Sequence, residues 1–90
     1  MPDSPNPPTA SFCYVYTLQS EPCPDRFYVG HTDDLGGRLA LHNSGSVRHT
    51  SKFRPWGIKT AIAFRSRERA VQFELYLKSH SGRAFARKHF

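Results

Sequence analysis

Three ionisable residues of this 90-residue chain stand where a helix turns them toward apolar neighbours, and their types are those that bind anions and move protons. Successive helical residues lie about 100° apart, which puts His42 roughly 20° and Arg38 roughly 60° from Leu35, on the flank of a stripe that must face the core. Arg38 and His42 are also i, i+4 neighbours, so their side chains can converge on one spot. Further along, Glu74 lies about 40° from Ala70 and about 60° from Leu77, again inside an apolar sector. A charge so placed needs a partner. Each residue has a plainer reading: Arg38 and His42 can rim their helix in solvent, and Glu74 can pair with Lys78 one turn on. Tyr16 and Tyr28 complete the set, each in a β-rich run, where amphipathic rings also serve simply as packing.

The elements that must position these residues can be read in order. Phe12 to Leu18 (FCYVYTL) and Arg26 to Gly30 (RFYVG) are short runs of aromatic and branched residues, and Pro22 and Pro24 break the stretch between them. Two strands in a hairpin follow. Thr32 or Asp33 caps a helix reaching about His42, with Asn43, Ser44 and Gly45 as its stop. Gly36 and Gly37 each cost roughly 1 kcal/mol there relative to Ala, so the helix is weak unless something packs closely on that backbone. Ile58 to Phe64 reads as a third strand, Ser66 as the cap of a helix with Ala70, Phe73 and Leu77 on one stripe, and Arg83 to Phe90, beyond Ser81 and Gly82, as a short basic helix. The order β-β-α-β-α-α predicts an α+β domain with a small antiparallel or mixed sheet.

Residues 1–10 hold four prolines with Ser, Asn and Asp and too little apolar surface to offset ordering, which predicts a disordered tail before a domain over residues 11–90. Thirteen Lys and Arg against seven Asp and Glu give a net charge of +6, with the excess concentrated after Arg38, so a polyanion is the natural partner. Cys13 and Cys23 have no metal-type spacing and no charged leader with an apolar run opens the chain, which together predict two unpaired thiols in the cytoplasm. No run approaches the roughly 18 apolar residues of a membrane span.

Tyr14-Val15-Tyr16 and Tyr28-Val29-Gly30 resemble the paired GIY and YIG elements of the GIY-YIG nuclease superfamily. Arg38 ten residues after Tyr28, His42 four further on, and the stretch HNSGSVRHTSKFRPW match the segments that follow in its short bacterial members. Glu74 in AVQFELYLK matches the A-x-x-x-E-x-x-L-K pattern. The chain differs in carrying Tyr14 at a glycine position, Gly36 and Gly37 before Arg38, and no asparagine after Asn43.

The resemblance implies a three-stranded, mostly antiparallel sheet flanked by helices. It also implies a metal-dependent endonuclease acting on DNA, RNA not excluded, in a structure-dependent or weakly sequence-specific way and serving repair or recombination. Glu74 then holds one Mg²⁺ or Mn²⁺, Arg38 grips the scissile phosphate, and Tyr16, oriented by His42, is the general base, with Tyr28 positioning water or phosphate; His42 as base directly is the chemical alternative. Lys78, Lys52, Arg54 and His49, the last at a position often held by tyrosine, are expected to contact nucleic acid. His31 directly follows the glycine of the second element and can approach the site, but as a lone histidine it is expected to be structural or exposed. No small-molecule cofactor is expected, while a protein partner or a homodimer stays open. An inactive nucleic-acid-binding module of the same fold is the alternative.

Overall fold

A computed structural model describes residues 11–90 as three strands and three helices: β1 (Cys13–Ser20), β2 (Phe27–Thr32), α1 (Leu35–Ser44), β3 (Trp56–Phe64), α2 (Arg67–Lys78) and α3 (His80–His89), with a 3₁₀ turn at Ser51–Phe53 before β3. The expected N-terminal tail lies outside the described residues. The sheet is antiparallel in the order β2-β1-β3, so the first strand is central and β2 forms an edge. A central strand covered on both faces wants apolar residues at nearly every position, which is why β1 reads as an almost unbroken run rather than an alternation.

Strand periodicity divides the core in two. Cys13 and Val15 face α2 and α3, forming one cluster with Ala70 and Leu77 and half-buried Val29, Phe64, Phe73 and Phe85. Tyr16 and Leu18 face the other way and pack with Trp56, Tyr28, Leu35, Leu39 and Phe53 under α1. Full burial of a side chain such as Val15 or Leu18 contributes about 1.5–3 kcal/mol. A bulge makes the second cluster possible: β1 and β3 pair Thr17 with Thr60 but Leu18 with Ile58, so Lys59 is the extra residue. Past it the alternation of β3 is reversed. Trp56 therefore reaches the α1 face instead of sharing a face with Phe64.

Several boundaries differ from the sequence reading. The cap of α1 is Asp34, not Thr32 or Asp33: its carboxylate accepts from the Gly37 amide, while Thr32, buried in β2, accepts from the Asp34 amide. The close neighbour that tolerates a glycine pair is this capping carboxylate, which a side chain on Gly37 would strike; Gly36 faces open space. Strands β1 and β3 are longer than expected, ending at Ser20 and beginning at Trp56. And α3 starts at His80, not Arg83. Ser79 closes α2, its amide donating to the Tyr76 carbonyl, and its hydroxyl oxygen accepts from the Gly82 amide to open α3.

Gly82 thus breaks nothing. It lies inside α3, and any Cβ there would run into the carbonyl of Tyr76 and the Cα of Leu77. Gly82→Ala is expected to cost about 3 kcal/mol, since backbone atoms give way less easily than side chains. A urea denaturation midpoint unchanged by the substitution would show that the helices do not abut as described.

Candidate active site

Each expected site residue is placed by an element whose local sequence explains its direction. Tyr16 and Tyr28 occupy positions on β1 and β2 that face α1, and His42 follows Leu35 and Leu39 on the inner stripe of that helix. The Tyr28 and His42 rings lie 4.6 Å apart between centroids, with Tyr16 6.3 Å from Tyr28 and 6.1 Å from His42. His42, 1% exposed, is the one buried residue of α1, and Tyr16 is 3% exposed. Polar groups so deeply buried must be hydrogen-bonded.

They are bonded in a chain. The Tyr16 hydroxyl lies 3.2 Å from His42 Nε2, and His42 Nδ1 lies 2.9 Å from the Thr50 hydroxyl oxygen. That hydroxyl in turn donates to the Val47 carbonyl at 3.3 Å, which leaves its lone pair to accept from Nδ1–H. Nε2 is then the bare nitrogen, and the Tyr16 hydroxyl donates to it. Thr50 is held in place by Trp56, whose indole N–H donates to the Thr50 carbonyl at 2.8 Å, and the end of α1 is tied to β3 by Asn43 through its paired bonds with the Trp56 backbone.

Electrostatics agree with that proton arrangement. Burial first, and the Arg38 charge second, hold His42 below its ordinary value, so the imidazole is neutral at neutral pH. Burial, followed by the neighbouring Tyr28, pushes the Tyr16 phenol up to about 12; Arg38 pulls it down and Glu74 pushes it further up, but the burial effect dominates. The Arg38 charge alone therefore does not bring this phenol into a basic range. Because unfolded His42 takes a proton near 6.5 and the folded group resists it, acid favours the unfolded chain: stability present above about 6.5 is lost as pH falls through the lower folded value, by up to about 1.4 kcal/mol per pH unit. Thermal melts between pH 7.5 and 5 are expected to show this loss for the wild-type chain and a smaller one for His42→Gln.

Glu74 approaches from the opposite face. Its Oε1 accepts from Nδ1 of His31 and its Oε2 from the Lys78 ammonium at 2.6 Å, and its side chain is 13% exposed. Burial by itself raises the carboxyl, but hydrogen bonds from Lys78 and His31, with their charges, outweigh it and hold Glu74 below the ordinary carboxylate range. The plainer reading of Glu74, its pairing with Lys78, is therefore present, and His31, read as structural or exposed though able to approach the site, is a second partner. A signal for it existed: in the β2 alternation His31 sits opposite Val15, which faces α2. Thr50 was missed too, and nothing in the sequence marks it beyond its place next to His49.

The two halves meet at the edge strand. The Tyr16 hydroxyl lies over Gly30, where a Cβ would stand 2.7 Å from that oxygen, and His31, the next residue, holds Glu74. Only glycine allows this crossing. Arg38 is exposed on α1 and influences both Tyr16 and His42, while its guanidinium makes no hydrogen bond or ion pair among the described residues. An unpaired guanidinium fork beside a neutral tyrosine–histidine pair suits an anionic group such as a phosphate. His49, Lys52 and Arg54 are exposed in or beside the 3₁₀ turn that leads from α1 to β3, and Arg54 bonds back to the Ser51 carbonyl, whereas Lys78 is on α2 beside Glu74. The structure does not gather these four into one surface.

A metal site can be tested on the donor set. Among the described residues no three His, Cys, Asp or Glu side chains come together as a metal-binding group. Glu74 is ionised, and each of its oxygens has one protein partner and a lone pair to spare, so it fits a hard cation held by one carboxylate, waters and substrate oxygens.

An α+β domain that carries a buried Tyr–His pair, a free arginine and a half-buried glutamate around one sheet edge has the makings of a phosphodiester-cleaving centre. Residues 12–88 match the family model described as the GIY-YIG catalytic domain, and the chain belongs to that family. It is 44% identical over 71 residues to the structure-specific endonuclease subunit SLX1 of Scheffersomyces stipitis, covering 71% of this chain and 21% of that protein. Against the protein of the same name from Meyerozyma guilliermondii it is 46% identical over 70 residues, covering 70% and 23%. A UPF0213 protein of Streptococcus pneumoniae is 39% identical over 67 residues, covering 72% of this chain and 65% of the relative. The chain thus spans about a fifth of the length of the first two.

Proposed function

We propose that this chain is a metal-dependent endonuclease that hydrolyses phosphodiester bonds in DNA, recognising the structure of its substrate more than its sequence and acting in repair or recombination. The observation that carries the reading is the hydrogen-bonded chain from Tyr16 through His42 to Thr50, which delivers a bare imidazole nitrogen to a phenol beside an unpaired arginine. Arg38 binds the non-bridging oxygens of the scissile phosphate and stabilises charge that builds there. Tyr16 takes a proton from the attacking water as its own passes to His42 Nε2, so the relay begins and ends with a neutral phenol and needs no free tyrosinate. Tyr28, whose ring packs at a tilt against His42, orients the water or the phosphate. Glu74 is the residue that would hold a Mg²⁺ or Mn²⁺ ion, which supplies Lewis acidity toward the phosphate oxygens.

The names of the fungal relatives support both the structure-dependent substrate and, through the word subunit, a protein partner. Two free cysteines suit a reducing compartment, the cytoplasm. Purified protein incubated with duplex, single-stranded, flap and branched DNAs is expected to cut the branched and flap forms best, with Mg²⁺ or Mn²⁺ and not with chelator. Inertness toward every form with either ion would overturn the nuclease reading.

A further inference from the structure

On the face of the sheet turned away from Tyr16 and His42, a cavity of about 750 Å³ opens between the edge strand β2 and helix α3. Lys59, Lys78, Arg83 and Arg87 line it, against one carboxylate, Asp25. Arg26 is also at its wall, but its guanidinium is turned over the Phe53 ring, 4.8 Å from the centroid, on the opposite face. Arg83 and Arg87 are spaced i, i+4 on α3, so both point the same way, and neither guanidinium makes a hydrogen bond or ion pair among the described residues. Lys59 is the residue set free by the β3 bulge. It reaches across the central strand to place its ammonium 4.8 Å from the centre of the Phe27 ring, itself 48% exposed.

The groove borders the candidate active site: Lys78 at its wall holds Glu74, and Tyr28, whose ring packs by His42 on the other face, is also among its lining residues. Nothing in the proposed cleavage uses Lys59, Arg83, Arg87 or Phe27. We propose that this groove binds a single-stranded nucleic-acid segment running to or from the cleavage site, an assignment that rests on the nuclease reading for the nature of its ligand. The Arg83 and Arg87 guanidinium groups recognise the phosphates, and the exposed Phe27 ring beside the Lys59 ammonium offers a stacking face. The size argues against a duplex: a cavity of this volume is on the scale of sites for small molecules and takes a flexible strand a few groups at a time, whereas a duplex lies on a broad surface. The chain would then grip its substrate on both sides of one sheet edge, duplex phosphates toward Arg38 and a single strand toward α3.

The test is equilibrium binding of a short fluorescein-labelled oligothymidine and of a blunt duplex, read by anisotropy without metal across a salt series. Arg83→Gln combined with Arg87→Gln is expected to weaken oligothymidine binding roughly tenfold and to make the salt dependence shallower by about 1.4, for two contacts at about 0.7 each, with duplex binding changed less than about twofold. Lys59→Gln, on a different element, is expected to act in the same direction and serves as the independent variant if the α3 pair lowers the melting temperature. Arg69→Gln with Lys88→Gln removes the same charge away from the groove and is expected to change neither ligand's affinity selectively. Unchanged oligothymidine binding in both groove variants overturns the proposal, as does an equal fall for duplex or an equal fall in the off-groove pair. No cleavage is read here: a chain that never cuts DNA leaves these outcomes meaningful, while a chain that cuts normally and binds oligothymidine without the groove sinks the groove alone.

Discussion

Glu74→Gln is expected to lower metal-dependent cleavage by at least about a thousandfold, some 4 kcal/mol of transition-state stabilisation, while the protein remains folded. The amide keeps the shape of the side chain and can still accept from His31 or Lys78, but it has no charge with which to hold a cation or balance those partners. The cost in stability is small because Lys78 is half-exposed and its ion pair is screened, so a change of about 1 kcal/mol or less is expected in chemical denaturation. Measuring both quantities on one preparation separates the roles. A folded Glu74→Gln protein that cleaves as fast as wild type removes Glu74 from the mechanism; one that fails to fold would assign the His31–Glu74–Lys78 cluster to structure.

The second large effect concerns the phenol. Tyr16→Phe retains the ring that packs against Leu18 and Trp56 and deletes only the hydroxyl that donates to His42, so cleavage is expected to fall by about 10²–10³ at a stability cost of about 1–2 kcal/mol for the unpaired imidazole nitrogen. The pH–rate profile distinguishes relay from base. If Tyr16 itself ionised before attack, wild-type rate would climb with pH toward the pKa of about 12. With proton transfer to His42, the rate is expected to be level above neutrality and to decline only in acid, below 6.5, as the imidazole is protonated. A steady climb of the metal-saturated rate through the alkaline range would refute the relay.

How much of this was legible beforehand depended on the range of the interaction. The strand runs around Tyr16 and Tyr28, the Ser66 cap and the inward turn of His42 follow from patterns a few residues long, and the structure has each of them. The β3 bulge did not show, because Lys59 is extra only with respect to β1, a strand about forty residues earlier in the chain. Gly82 looked like a helix breaker for the same reason: what makes it glycine is the carbonyl of Tyr76, packed against it by a turn at Ser79 that serves two helices at once. His31 was noticed but given too little weight. A lone histidine after a glycine carries no period of its own, and its significance arises only when antiparallel pairing sets it opposite Val15 and beneath α2. Arg38 lies where the helix angle put it, on the flank of the apolar stripe, and its side chain is exposed.

The division of the core into two clusters has a consequence for how the protein stops working. Tyr16, Tyr28 and His42 depend on α1, ten residues long with a glycine pair in its first turn and a single buried side chain, whereas Glu74 rests on the helix pair that shares the larger cluster. Segments with so little buried surface open at a fraction of the free energy of global unfolding. Warming or mild denaturant is therefore expected to release α1 while the sheet and the other two helices keep their order, and with it the proposed activity, in a local event that far-ultraviolet dichroism would scarcely register. Amide hydrogens of Leu39 to His42 are expected to exchange before those of α2, so the lifetime of the proposed activity would be set by the weaker half of the molecule rather than by its melting point.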